Sequence, residues 1–287
     1  MELRPDMSSY CLILAVLLLL HAPHCKATVG KDSSRCTEGQ HVLDVVYQDM
    51  RVAGEDGLGF FLSPLSFGAE ECLLAGAVLA GTASLFLADE HVRDFARRNR
   101  HSTADNIASY SNEGGRLIWA GTLIGALYVT GLAAGSDELR VTGRLLGQSL
   151  VYSSVLAMAF RVALGRERPH SGESSTSFRG WQWKNEFQSL PSGHTTIAFS
   201  LASVLSRRIS HPAATVLLYS AAASTALARV YDDEHWVSDV FLAAAIGHVA
   251  GMFVCSREEK RSMKQGANSL TWTILPRYDG IFLQLQF

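Results

Sequence analysis

Three polar clusters close apolar runs in this chain, and their residue types suit an anionic ligand. In RVALGRERP, Arg161 and Arg168 stand seven positions apart, two helical turns, so both guanidiniums are expected to point one way before Pro169 stops the helix. Arginines in an oily segment are costly unless an anion offsets them, although helix-end arginines at an interface fit this pair alone as well. In LPSGHTTIAFSLASV, Pro191 and Ser192 sit where a helix begins, and Gly193 lets the backbone approach a ligand. Free amide groups at a helix start form an anion site, and His194 would stand beside it; an ordinary Pro-Ser start with a surface His is the plain alternative.

The third cluster is RVYDDEHWVSD. His235 and Asp239 are four apart and share a helix face, so Asp239 is expected to accept the Nδ1–H of His235 and leave Nε2 as a nucleophile or base. Arg229 adds a cation, while Asp232, Asp233 and Glu234 read as solvated filler that sets the spacing. Each cluster alone fits a surface loop. Together they supply three arginines, a helix N-terminus, a serine hydroxyl and two histidines. That set suits a tetrahedral oxyanion attacked on one side while its leaving group is protonated on the other. No carboxylate cluster asks for a metal, so charge neutralisation falls to the arginines. The chemistry indicated is phosphoryl transfer without a metal or other cofactor.

The elements that must position these clusters are six apolar segments, at about 70–89, 116–135, 142–164, 194–208, 212–230 and 238–255. Most have the length that crosses a bilayer, and small residues, as in AGAVLAGTAS and AAAIGHVAG, let helices approach closely. The expected fold class is all-α, a transmembrane six-helix bundle over residues 70–256, with a small C-terminal β-hairpin in the 257–287 tail around Arg277-Tyr278-Asp279-Gly280. A soluble helical bundle is the alternative. Residues 28–69 read as a polar loop and an amphipathic helix, in which Val42, Val46 and Met50 share a face beside Leu43 and Tyr47 and lie on the membrane or the domain.

Residues 1–27 read as a signal peptide or N-terminal anchor, with CLILAVLLLL as its apolar core and Cys25 and Ala27 at the −3 and −1 positions. Hydrophobic residues make up 48% of the 287, and the net charge of −2 with no long basic run excludes nucleic acid as an expected partner. The cysteines left after residue 27 (Cys36, Cys72 and Cys255) form no CxxC pair and suggest neither a disulfide framework nor zinc.

Arg161-x6-Arg168-Pro169, Pro191-Ser192-Gly193-His194 and Arg229-x5-His235-x3-Asp239 resemble, in order and spacing, the three signatures of the type-2 phosphatidic acid phosphatase superfamily. The resemblance covers roughly residues 70–255. It implies a metal-independent phosphatase acting on a phosphomonoester or pyrophosphate of a lipid, with membrane lipids as partners and the oligomeric state left open. By the same analogy His235 is the nucleophile that forms a phosphohistidine, Asp239 orients it, and His194 protonates the leaving group. Arg161, Arg168, Ser192, Gly193 and Arg229 hold the phosphate.

The chain departs from the family pattern at Arg161, where Lys is usual, and at Ala228, where Ser is usual. The superfamily also contains vanadium-dependent haloperoxidases, so a haloperoxidase-like enzyme and a non-catalytic phosphate-binding membrane protein are the alternatives. The implied location is the bacterial cell envelope, as a multi-pass inner-membrane protein with an extracytoplasmic site, or else periplasmic and membrane-associated. Arg93, Arg97, Arg98 and Arg100 after the first apolar segment conflict with that placement, because the positive-inside rule puts both this loop and the site loop in the cytoplasm. In the site loop, Phe178, Trp181, Trp183 and Phe187 either border a lipid headgroup or anchor the loop at the interface.

Overall fold

The helices of this protein carry charge inward and oil outward. The computed structural model describes residues 38–172, 174–268, 271–277 and 280–286; the segment read as a signal peptide or anchor lies outside them. The helices are α1 (Glu38–Leu62), α2 (Ala69–Phe86), α3 (Asp89–Arg98), α4 (Ser102–Glu113), α5 (Leu117–Ala133), α6 (Asp137–Leu164), α7 (Gly193–Ile209), α8 (Pro212–Tyr231) and α9 (Val237–Asn268).

On α1, Asp49 and Asp56 are buried while Leu43, Tyr47, Met50 and Leu58 are exposed. Asp49 meets Arg140 at 2.5 Å and Arg144 at 3.2 Å, both on α6, and Asp56 meets Arg257 of α9 at 2.9 Å and also Arg261. The amphipathic helix therefore docks on the domain through its acids and Phe60, which packs on Tyr152, and turns Leu43, Tyr47, Met50 and Leu58 away. On α2 apolar residues face outward as well: Leu73 and Leu74 are 75% and 67% exposed. An exposed apolar belt of this extent is stable against lipid rather than water.

Four helical stretches, Ala69–Phe86, Asp137–Leu164, Pro212–Tyr231 and Val237–Lys264, are long and apolar enough to cross a membrane, and α4 with α5 makes a fifth if that pair, bent by 43°, is one span. The chain is a multi-pass membrane protein.

The expected six-helix bundle with a C-terminal hairpin needs correcting. The six apolar segments lie in α2, α5, α6, α7, α8 and α9, but α1, α3 and α4 bring the helices among the described residues to nine. Of these, α1 contains the expected amphipathic helix, while α3 and α4 are polar and escape a search for membrane-length runs. In α3 the acids Asp89 and Glu90 open the helix and Arg97 and Arg98 close it, which complements the helix dipole. The first turn of α4 is capped by the His101 ring, which accepts the Ala104 N–H. The strands Thr271–Arg277 and Gly280–Gln286 pair antiparallel at the end of the chain, outside this nine-helix body.

The core lies where α9 packs on α7 and α6. Leu145, Leu146, Val204 and Val254 are fully buried there. Contact between α7 and α9 depends on Gly247 and Gly251: a Cβ at Gly247 would stand 2.5 Å from the Thr196 carbonyl, and one at Gly251 would run into the Ser203 hydroxyl. With α6, α7, α8 and α9 packed in alternating directions, the ends of α6 and α8 and the starts of α7 and α9 gather at one end of the bundle. All three polar clusters belong to those four termini. Gly251→Leu is expected to force α7 and α9 apart at a cost of about 3 kcal/mol, read as a lower midpoint of thermal unfolding in detergent.

Candidate active site

Helix α6 stops before its second arginine. Gly165 adopts a left-handed conformation (φ 60°) and returns its N–H to the Arg161 carbonyl at 2.9 Å. A side chain at this position would run into the Gly180 carbonyl. Arg161 is therefore on the helix and Arg168 on the loop beyond it, which corrects the expectation that helical periodicity aligns them. The fold of the loop brings the two together instead, close enough for their charges to repel.

Arg161 donates through Nε to the Pro191 carbonyl at 2.7 Å, and its Nη2 would lie 2.5 Å from a Cβ at Gly193. Its forked guanidinium fits against the start of α7 because residue 193 is glycine. Ser192 precedes that helix fully buried, with its N–H on the Asp239 carbonyl at 3.3 Å. His194 follows in the first turn, where Gly115, between α4 and α5, packs so tightly that a Cβ would stand 2.6 Å from the His194 Cβ. Burial, then the charges of Arg229 and other nearby cations, pushes the His194 imidazole down to about 4.

His235 lies between α8 and α9 and is 3% exposed. Its Nδ1 is 2.8 Å from the Ser189 carbonyl and 3.7 Å from Asp239 Oδ2. The expected direct bond to Asp239 is therefore not made. A carbonyl only accepts, so Nδ1 carries the hydrogen and Nε2 keeps its lone pair. Asp239 acts one step removed: its Oδ2 accepts from the Ser189 hydroxyl at 2.5 Å and from the Trp236 N–H at 2.9 Å. Burial pushes the His235 imidazole down to about 4, against the upward pull of Asp239.

The residue the sequence reading missed altogether is Arg166. It is fully buried, and it bonds Asp239 Oδ1 at 2.5 Å, Asp89 Oδ2 at 2.6 Å, Ser238 Oγ at 2.7 Å and the Ser175 carbonyl at 2.6 Å. Asp89, at the start of α3, also accepts the Ser238 N–H at 3.0 Å. A third arginine in RVALGRERP was visible, but its carboxylate partners lie more than seventy positions away and nothing local announces them.

The three acids of the last cluster are not solvated filler. Asp232 accepts from Asn112 Nδ2 at 2.5 Å, and Asp233 pairs with Arg93 at 2.7 Å. Glu234 Oε2 touches Arg168 Nη1 and lies 3.3 Å from Arg229 Nη2. Burial raises the Glu234 carboxyl, but Arg168 and Arg229 outweigh it and hold the group below the usual carboxylate range, hence charged at neutral pH. Arg168 is further fixed by Asn185, and Arg229 by Asn112 Oδ1 at 3.2 Å. Arg93, one of the four arginines that troubled the topology, is thus a strut of the site loop, and Arg100 likewise donates to the Tyr231 carbonyl at 2.7 Å.

All eight candidate residues gather at one end of the bundle, and among the described residues no group of His, Cys, Asp and Glu could hold a metal ion. The end offers three guanidiniums, a helix start and a neutral imidazole with a free Nε2, an arrangement that can receive and attack a tetrahedral oxyanion. Both histidines are neutral when folded but have an ordinary value of 6.5. The unfolded chain therefore binds more protons between the two values, and stability is lost as pH falls from 6.5 through about 4. Thermal midpoints in detergent should decline over that window, and His194→Gln should flatten the decline.

Residues 143–262 match the family model described as the PAP2 superfamily. A curated relative, lipid A 1-phosphatase of Porphyromonas gingivalis, is 32% identical over 108 residues, which is 37% of this chain and 21% of the relative. The chain thus matches about a fifth of that relative's length. Two solved structures align with it. The crystal structure of Aquifex aeolicus LpxE is 19% identical with a TM-score of 0.44, over 58% of this chain and 94% of that one. The first transmembrane PAP2 type phosphatidylglycerolphosphate phosphatase from Bacillus subtilis is 18% identical with a TM-score of 0.48, over 64% and 95%.

Proposed function

We propose, from the match of residues 143–262 to the PAP2 superfamily model, that this protein is a member of that superfamily and a metal-independent phosphatase that hydrolyses a lipid phosphomonoester or pyrophosphate through a phosphohistidine. The observation that carries this reading is the contact of His235 Nδ1 with the Ser189 carbonyl, which leaves Nε2 as a nucleophile at the end of the bundle that holds three arginines. Arg161, Arg168, Arg229, the Ser192 hydroxyl and the backbone of Gly193 hold the phosphate. Nε2 attacks phosphorus, the P–O bond to the lipid breaks, and the leaving oxygen takes a proton from His194. Water, giving its proton back to His194, then attacks phosphorus. The P–N bond breaks and orthophosphate leaves.

His194 is neutral in the empty site because burial and the surrounding arginines disfavour its charge. A bound phosphate supplies the opposite charge and raises it into a range where it can donate. Asp239 is a positioning group for His235, acting through Ser189. His235→Ala is expected to lower hydrolysis of a lipid phosphate by on the order of a thousandfold or more, with the wild-type rate unaffected by EDTA. Quenching wild type in alkaline denaturant with a radiolabelled phosphoester should trap acid-labile, base-stable label on the chain. Hydrolysis that survives His235→Ala would sink the mechanism.

The lipid character of the substrate is supported by the membrane-length helices and by Trp181 and Trp183, 73% and 69% exposed on the site loop. The lipid A 1-phosphatase match points to the same class. We place the protein in the inner membrane of a bacterial envelope with the site outside the cytoplasm. The commitment of Arg93 to Asp233 and the Pro169 carbonyl removes one of the four arginines that argued otherwise. Ser171→Cys, on the exposed face of the loop, should then react with an impermeant maleimide in intact cells, above the labelling of wild type. Labelling only after permeabilisation would reverse the orientation.

A further inference from the structure

Every donor nitrogen of Arg168 is already engaged. Nε donates to the Asn185 carbonyl at 3.1 Å, Nη2 to Asn185 Oδ1 at 3.0 Å, and Nη1 to Glu234 Oε2. The same Glu234 oxygen is 3.3 Å from Arg229 Nη2, while Arg229 Nε is buried with no hydrogen-bond partner. One carboxylate oxygen thus bridges two guanidiniums, as a phosphate oxygen would. Its side chain is 32% exposed, so it has room to move outward. Its own backbone is held, since the Glu234 N–H donates to the Arg229 carbonyl at 3.1 Å.

We propose that Glu234 is a built-in counter-anion of the phosphate site: its carboxylate bridges Arg168 and Arg229 until a phosphate oxyanion displaces it. This rests on the reading that these two arginines bind phosphate. An internal competitor penalises every small anion equally. A phosphate that arrives on a lipid has the binding energy of its chains and headgroup to offset that penalty, whereas free orthophosphate has none. Glu234 therefore selects for tethered phosphates and, by returning to the arginines, ejects the orthophosphate left at the end of each turnover.

The test is product inhibition. In Glu234→Gln, which keeps the shape and removes the charge, the inhibition constant for orthophosphate should fall by on the order of tenfold, and orthophosphate release should slow. Glu234→Ala, which has no arm to bridge the arginines, should tighten orthophosphate binding in the same direction, so the proposal does not hang on the folding of a single variant. Wild type that hydrolyses phosphoesters, with both variants binding orthophosphate no tighter, overturns the counter-anion role and makes Glu234 a strut for the arginines. Wild type that neither hydrolyses any phosphoester nor binds orthophosphate overturns the phosphatase reading itself, and the proposal with it.

Discussion

One buried guanidinium ties the working end of this protein together. Arg166 sits between two fully buried carboxylates, Asp89 at the start of α3 and Asp239 in the first turn of α9. Removing one member of such a group leaves an uncompensated charge in the interior, at a cost of about 3–5 kcal/mol. The histidine side of the site runs back to this cation. Arg166 holds Asp239, Asp239 holds the Ser189 hydroxyl, and the Ser189 carbonyl holds His235. On its other side the cation packs over Phe86 and within 5.5 Å of the Trp236 ring centre, so the end of α2 and the approach to α9 share one anchor.

The arrangement reconciles two demands that conflict inside a membrane. A site for a multiply charged anion needs several cations, and a bundle facing lipid excludes unpaired charge. Here Arg93, Arg166, Arg168 and Arg229 are paired by Asp233, Asp89, Asp239 and Glu234, and Arg161 donates to the Pro191 carbonyl. At the other end the same principle fixes α1, whose Asp49 and Asp56 meet arginines of α6 and α9. Apolar side chains are thereby released to the outside.

Much of this was legible in the sequence, and what was hidden has a physical reason. The six apolar segments announce themselves by length, and the candidate site residues by type and spacing at helix ends. His235 and Asp239 were read as partners because four positions place them on one helix face. The bond goes instead to Ser189, forty-six positions earlier, because His235 precedes the helix and lacks helical geometry relative to Asp239. Arg166 and Asp89 were invisible for a related reason: their pairing is set by the docking of α3, and local pattern carries no trace of it. Asp232, Asp233 and Glu234 looked like solvent-facing acids only because their partners (Asn112, Arg93 and Arg168) lie on other elements.

The break at Gly165 has a mechanical meaning. Arg161 belongs to a helix clamped on both sides by its neighbours, while Arg168 rides on the loop that follows the left-handed glycine. The proposed grip on an anion therefore joins one arginine borne by a helix to one borne by a loop. The same loop also carries the Ser189 carbonyl that holds His235, so a change in the loop would reset the anion grip and the histidine together.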